Sequence, residues 1–514
     1  MGYWAKASCR PGLVGVLFTG PAAVPPTFAA FSQVIMSPKP TRGAASRRPA
    51  SQSSAEEQEN GSTRPGAAPT RRSAPGRSSY QDNGRGAGRA PSKNLRQGSI
   101  SLAPLPLCPD PARPLPAVFL KTPTRHPLIY RKRIVRADAS AQPGDMVAVY
   151  VEPNELMGYG LYNPRSEIAV RMVRLGPELP DESFWQARLA EAVDLRRRLL
   201  RLDEVTDAYR VIHAEADGFP GLVIDRLGDT LSAEAFSLGM FRRAGEILAR
   251  LAPLCGTRHT VIQPAPHVLS QEGFTSAALT SADCPQSVTI QEFGTRFRVR
   301  FEGGHKTGFF CDQRDNRRML ASYCRDASVL DLCCYSGGFS IQAKRLGQAA
   351  EVIGVDLDEA PLKVARENAN LNQVRVRFVQ ADIFPFMRDM LQNGRQFDVV
   401  VLDPPKLING RAEIDEGTRK HFDMNRLAMR LVKPGGLMLS CTCAGLLPEE
   451  EFVRLLYAAA RQAGPSLGPD AEGIVRHAPR TMQVLAKSGA AADHPVASHC
   501  PEGEYLNAVW MRLL

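Results

Sequence analysis

The sequence predicts an α/β protein: a C-terminal parallel sheet flanked by helices, preceded by a small β-barrel-like module and a small central α+β unit. Three observations predict it. From residue 301 onward, apolar strands ending in polar residues alternate with helical stretches, as in "ASVLDLCCYSGGFSIQAKRL" and "FDVVVLDPPK", and such alternation requires both faces of a parallel sheet to be covered. Between 116 and 178, short alternating strands such as "GDMVAVYVE" and "IAVRMVRL" are separated by Gly, Pro and Asn turns. Between 179 and 300, segments of helical period are mixed with strands.

The first element is an extension, residues 1–115. The chain has 514 residues and a net charge of +11, enough for two to four domains at roughly 100 to 200 residues each. Fifteen Lys and Arg stand against five Asp and Glu before residue 117, so nearly all the excess charge lies in this extension. Its Ser, Pro, Arg, Gly and Ala content from Met36 onward predicts disorder, because ordering it would cost backbone entropy for little burial. The first 35 residues are apolar and basic with no acid. A targeting peptide, a later start at Met36 and a disordered tail are all open readings of them.

The barrel-like module follows, with a cationic edge at Arg131, Lys132 and Arg133. This edge suits an RNA phosphate backbone, and equally an ordinary wet edge strand. In the central unit, "DESFWQARLAEAVDLRRRLL" places acids early and arginines late, as the helix dipole prefers. No apolar run is long enough to span a membrane. The eleven cysteines lack zinc-knuckle spacing, and their odd number in apolar surroundings predicts free thiols in a cytoplasmic setting.

In the C-terminal part, Gly337 and Gly338 sit where a strand gives way to a helix, and the missing Cβ suits close approach of a ligand. The turn lacks the G-x-G-x-x-G of a pyrophosphate cradle. Asp356 closes the next strand, at a position suited to a ribose diol, and Asp382 ends a third, suited to an adenine amino group. Asp331 lies below the glycine turn, which also contains Tyr335. The set points to a nucleoside cofactor without phosphates, S-adenosylmethionine rather than NAD, although aspartates at these places also cap helices.

"DPPK" at 403–406 ends a further strand, and its two prolines fix the turn so that Asp403 projects toward a base. In "LSCTCAG", Cys441 and Cys443 share a face if the strand runs through both. If it ends first, Cys443 enters the crevice while Cys441 stays in the scaffold. A thiolate beside a methyl donor suits attack at cytosine C6, which makes C5 nucleophilic.

These motifs, with "HPLIY", "EADGFPGLVIDRLGD", "GGHKTGFFCDQRDNR" and "DHPV…PEGEYLNAV", resemble the bacterial 23S rRNA 5-methylcytosine methyltransferases of the large-subunit type I group, over about residues 116–514. The resemblance implies an N-terminal PUA domain at 116–178, a central domain at 179–300 and a Rossmann-like methyltransferase domain at 301–514. It implies Cys443 as the catalytic thiol and Asp403 as the base-contacting acid, and Ala444 departs from the small hydroxyl residue expected beside that thiol. Asp331, Tyr335, Gly337, Asp356, Asp382 and Asp403 are the expected cofactor contacts. Lys306, Gln313, Arg314, Lys406, Arg131 and Lys132 are the expected RNA contacts, with Thr307 and Asp312 in the same cleft-lining segment. The expected partner is 23S rRNA or a large-subunit assembly intermediate, with no membrane, and a homodimer is compatible with the resemblance. Three rivals stand beside this reading: a guanine N7 or N2 methyltransferase, a non-catalytic RNA-binding assembly factor and a small-molecule methyltransferase.

Overall fold

The computed structural model describes residues 100–301, 307–470, 472, 473 and 475–514. The readings of residues 1–99, a targeting peptide or disordered tail included, lie outside the described residues. Residues 100–115 correct the expected boundary of the disordered extension. Leu107 is fully buried in the core of the central unit, and Ile100, Leu102 and Leu115 pack against it. Polar ties hold the same stretch: the Leu105 amide donates to the Arg242 carbonyl at 3.0 Å, and Arg243 Nε donates to the Pro106 carbonyl at 3.1 Å. A few apolar anchors and satisfied backbone groups are enough to order a Pro-rich segment.

The first sheet has six strands, ordered Leu128–Tyr130, Ile168–Leu175, Glu155–Tyr162, Met146–Val151, Ala117–Leu120 and Ile134–Ala137. All neighbours are antiparallel except Ala117–Leu120 with Met146–Val151. Alternation turns Val118, Leu120, Ile129, Val147, Val149 and Val170 into one shared core. Gly158 is forced by proximity, because a Cβ there would lie 2.2 Å from the Arg174 carbonyl oxygen. Arg131, Lys132 and Arg133 form a 3-10 turn after Leu128–Tyr130 rather than an edge strand.

The second sheet has five strands, ordered Leu279–Thr280, His259–Pro264, Thr230–Ala235, Leu222–Leu227 and Ala208–His213. The helix Glu182–Asp194 covers it with Trp185, Leu189 and Ala192, spaced four and three apart, and starts where the Asp181 side chain accepts from the Phe184 amide. Burying a side chain such as Leu189 contributes about 1.5–3 kcal/mol. One of the arginines after this helix departs from the dipole reading. Arg196 is fully buried and grips both carboxylate oxygens of Asp217 at 2.7 and 2.8 Å.

The third sheet has seven strands: Arg377–Gln380, Glu351–Asp356, Ser328–Leu332, Phe397–Leu402, Val432–Thr442, Asn507–Leu513 and Met482–Ser488. Numbered along the chain, their spatial order is 3-2-1-4-5-7-6. The first five run parallel, and Asn507–Leu513 is antiparallel to both its neighbours. Helices bury apolar clusters on both faces. The order reverses between Ser328–Leu332 and Phe397–Leu402, which opens a crevice at their carboxyl ends. Among the described residues no helix is long and apolar enough to cross a membrane.

Candidate active site

Five strand ends converge on that crevice. After Leu332 the chain turns through Cys333 and Tyr335, at φ 64° and 48°, to Gly337 at φ 82°, and the helix Gly338–Arg345 begins. The Tyr335 amide donates to Asp356 Oδ2 at 2.8 Å, tying the turn to the end of the neighbouring strand. The other oxygen of Asp356 accepts from the Asp358 amide at 3.0 Å. The Tyr335 ring meets Phe310 edge-on at 5.1 Å.

Asp331 is fully buried. Its Oδ2 accepts from the Ser340 amide at 2.9 Å and from the Ser340 hydroxyl at 2.6 Å, while Oδ1 has no hydrogen-bond partner among the described residues. Burial pushes this carboxyl up to about 7, against the opposing pull of the Ser340 hydrogen bonds. Asp382 is exposed and caps the helix Ile383–Gln392, accepting from the Phe384 amide at 2.8 Å. The Cys333 thiol marks where the acids meet. Burial raises it well above the ordinary thiol range, and the carboxylates of Asp356, Asp403, Asp331 and Asp382 all raise it further.

The glycines also answer to the packing around them. A Cβ on Gly337 would lie 3.0 Å from Phe378 Cζ and 3.2 Å from Ala365 Cβ, and one on Gly338 would lie 3.1 Å from Arg317 Cδ. These glycines make room for protein, and Gly337 also supplies the left-handed backbone of the turn.

On the other side of the crevice, the strand Val432–Thr442 ends one residue before Cys443. Cys441 is therefore scaffold, fully buried among Leu439, Ala508 and Trp510, whereas Cys443, just past the strand end, is half-buried and packs against the edge of the same cluster. Leu402 pairs with Ser440, which brings Asp403 beside this turn. The Cys441 thiol is raised well above its usual range, first by burial and then by the Asp403 charge. Lys406 is exposed just past the two prolines. Gly417 lets the helix Ile414–Arg430 close on the loop after them, since a Cβ there would lie 2.3 Å from Ile408 Cγ1.

The remaining expected RNA contacts divide. Lys306 lies outside the described residues. Arg314 is corrected: its guanidinium is buried and paired with both oxygens of Asp493 at 3.0 and 2.9 Å, so it serves the scaffold. Gln313 is also buried, accepting from Asn316 Nδ2 at 2.7 Å and hydrogen-bonding the Cys441 thiol. Thr307 donates its hydroxyl to Asp225, and Asp312 Oδ2 accepts from the Tyr505 hydroxyl at 2.6 Å. Arg131 pairs with Glu167 on the first sheet, and Lys132 beside it is exposed. Sequence reasoning missed Ser340 and Cys333. The nine-residue interval from Asp331 to Ser340 spans strand end to helix start and was the available signal for the first.

Residues 234–469 match a family model described as S-adenosylmethionine-dependent methyltransferase, and residues 121–174 match a PUA-like domain. The chain is 32% identical over 395 residues to the ribosomal RNA large subunit methyltransferase I of Pseudoalteromonas atlantica, covering 76% of this chain and 96% of that one. It belongs to the ribosomal RNA large subunit methyltransferase I family. A second member, from Tolumonas auensis, is 34% identical over 397 residues with the same coverage. In fold, the chain is similar to a Streptococcus mutans protein described as a SAM-dependent methyltransferase, at a TM-score of 0.63 and 17% identity, over 77% of this chain and 99% of that one.

The chain is thus a methyltransferase with S-adenosylmethionine as its cofactor. The crevice suits that group. Its acids would repel a pyrophosphate but match a sulfonium, an ammonium, a ribose diol and an adenine amino group, and the buried Asp331 Oδ1 lacks a donor among the described residues.

Proposed function

We propose that this chain methylates C5 of a cytosine in 23S rRNA through a covalent adduct of Cys443. The observation that carries the reading is the strand end at Thr442, which leaves Cys443 half-buried in the turn next to the strand end that bears Asp403, while Cys441 stays fully buried. The names of the family members, which act on large-subunit ribosomal RNA, supply the substrate class.

S-adenosylmethionine supplies an electrophilic methyl group on a sulfonium. In this reading Asp356 would accept from the ribose diol, Asp382 and its neighbouring backbone would hold the adenine, and Asp331 and Tyr335 would contact the cofactor from the turn, which Gly337 shapes. Asp403 holds the exocyclic amino group of the target base. The Cys443 thiolate attacks C6, forming an S–C6 bond and making C5 nucleophilic. The bound cofactor would supply the methyl group for C5 and leave as a neutral thioether. Loss of the C5 proton to a base then restores the ring double bond as the S–C6 bond breaks. The target must be unpaired or flipped out to be reached. Lys406 beside the site, and Lys132 and Arg131 on the first sheet, neutralise RNA phosphates.

The domain reading accompanies this: residues 116–178 contact RNA, 179–300 form the central unit and 301–514 carry the chemistry. Residues 100–115 join the central unit. Ten described cysteines without a disulfide among them fit a reducing cytoplasm. The partner is 23S rRNA, free or in an assembly intermediate, and a second copy of the chain is a further partner to be tested by sedimentation. Transfer of labelled methyl to deproteinised large-subunit rRNA, followed by digestion to nucleosides and mass spectrometry, tests the product. 5-Methylcytidine is expected, and a methylated guanosine contradicts the reading.

A further inference from the structure

The turn that carries Cys443 is held from behind by a histidine on another element. His421 is buried on the helix Ile414–Arg430, and its Nε2 lies 3.1 Å from Thr442 Oγ1. The same Thr442 oxygen accepts from the Ala444 amide at 3.3 Å. The two residues joined in this way flank Cys443. The helix and strand are tied a second time two residues back: Ser440 Oγ donates to Asn425 Oδ1 at 2.6 Å, and Asn425 Nδ2 donates to the His421 carbonyl at 2.8 Å.

Among the described residues, no acid or cation shifts the His421 ring. Phe452 meets its ring edge-on at 5.8 Å, and Nδ1 has no hydrogen-bond partner among the described residues. Burial pushes the imidazole down to about 4, so it is neutral at physiological pH. A hydroxyl can donate to a neutral imidazole nitrogen and accept from an amide at once. With either tautomer of His421, the contact to Nε2 together with the bond from the Ala444 amide fixes the Thr442 rotamer and the path of the backbone at Cys443. A valine at 442 would fill the same space yet leave the Ala444 amide without this acceptor.

We infer that His421 is a positioning residue for the methyl transfer, acting through the Thr442 hydroxyl to aim the Cys443 thiol into the crevice. The inference rests on the reading of Cys443 as the nucleophile. Its weight comes from the tolerance of attack geometry: reacting atoms must be held about 3–3.5 Å apart, and an error of about 1 Å can cost about 100-fold in rate.

The test uses the full chain with S-adenosylmethionine and deproteinised large-subunit rRNA, comparing wild type, Thr442→Val, Thr442→Ser, His421→Phe and Cys443→Ala. Thr442→Val and His421→Phe are expected to lower kcat about 10- to 100-fold, while the KM for RNA and the Kd for S-adenosylmethionine stay within about twofold and Tm within a few degrees. Thr442→Ser restores kcat, because it restores the hydroxyl. A kcat for Thr442→Val within twofold of wild type overturns the inference. So does a fall in which cofactor affinity and Tm drop along with kcat and Thr442→Ser does not recover, the mark of a packing role. Methyl transfer by Cys443→Ala sinks the nucleophile reading itself. A dead Cys443→Ala beside a fully active Thr442→Val sinks only the role of His421.

Discussion

Arg314 and Asp493 meet through two parallel hydrogen bonds with both side chains shut off from water, although 179 positions separate them in the chain. The same aspartate binds the central unit: its Oδ2 accepts from the Arg210 amide and its carbonyl from Arg196 Nη2, each at 2.8 Å. One carboxylate thus joins the second sheet, the segment entering the third sheet and the segment before the last strand. Arg314 follows Gln313, which bonds the Cys441 thiol, so this joint stands directly behind the crevice.

Asp493→Asn should therefore destabilise the protein by about 3–5 kcal/mol, the cost of leaving a buried cation without its counter-charge. Urea unfolding at pH 7 measures it. Arg314 and His494 hold the Asp493 carboxyl far below its ordinary value despite burial. Its stabilisation is present above the unfolded-state value of about 3.9 and is lost as pH falls toward the folded one. The gap between wild type and variant should narrow in acid. A difference under 1 kcal/mol at pH 7 contradicts this.

Asp331 runs the other way. Its carboxyl is raised by burial to about 7, so its proton is bound more tightly in the folded state. The stability linked to that proton is complete below the unfolded value of about 3.9 and is lost as pH rises toward 7. Asp331→Asn, which can still accept from Ser340, should flatten the decline in Tm of the cofactor-free protein between about pH 4 and 7. An unchanged slope would show that the acid is not desolvated.

Gly337→Ala should cost about 2–4 kcal/mol, combining a left-handed backbone with a Cβ pressed onto Phe378. Thermal unfolding without cofactor reports it. A variant as stable as wild type would mean that the turn relaxes freely.

The strand-end acids were legible because a parallel sheet gathers its carboxyl ends, whatever the loops between them. Asp331, Asp356, Asp382 and Asp403 follow from strand pattern alone, and so does the alternative that Cys443 stands free of the strand. Arg314 and Arg196 were not legible, because their buried partners Asp493 and Asp217 sit at distances set by tertiary packing and leave no period in the sequence. The glycine turn was visible, but only the fold reveals that Phe378 occupies the space beside it. The reversal of Asn507–Leu513 was hidden, since an apolar run carries no sign of direction. Leu107 shows how a single anchor can order a segment whose composition argues for disorder.

Lys132 is exposed, whereas Arg131 beside it is tied to Glu167. Lys132→Ala should lower the slope of log K against log salt for rRNA binding by about one, with Arg131→Ala giving less because its charge is already partly neutralised. Filter binding over a salt series reads both slopes. Equal slopes in wild type and both variants would remove this surface from the RNA interface.

Cys443 is the residue expected to form the bond to cytosine. Wild type and Cys443→Ala are incubated with labelled S-adenosylmethionine and deproteinised large-subunit rRNA, and cofactor binding is measured alongside. Wild type should yield 5-methylcytidine and Cys443→Ala none, with cofactor affinity unchanged. Methyl transfer by Cys443→Ala at a rate near that of wild type would contradict that assignment.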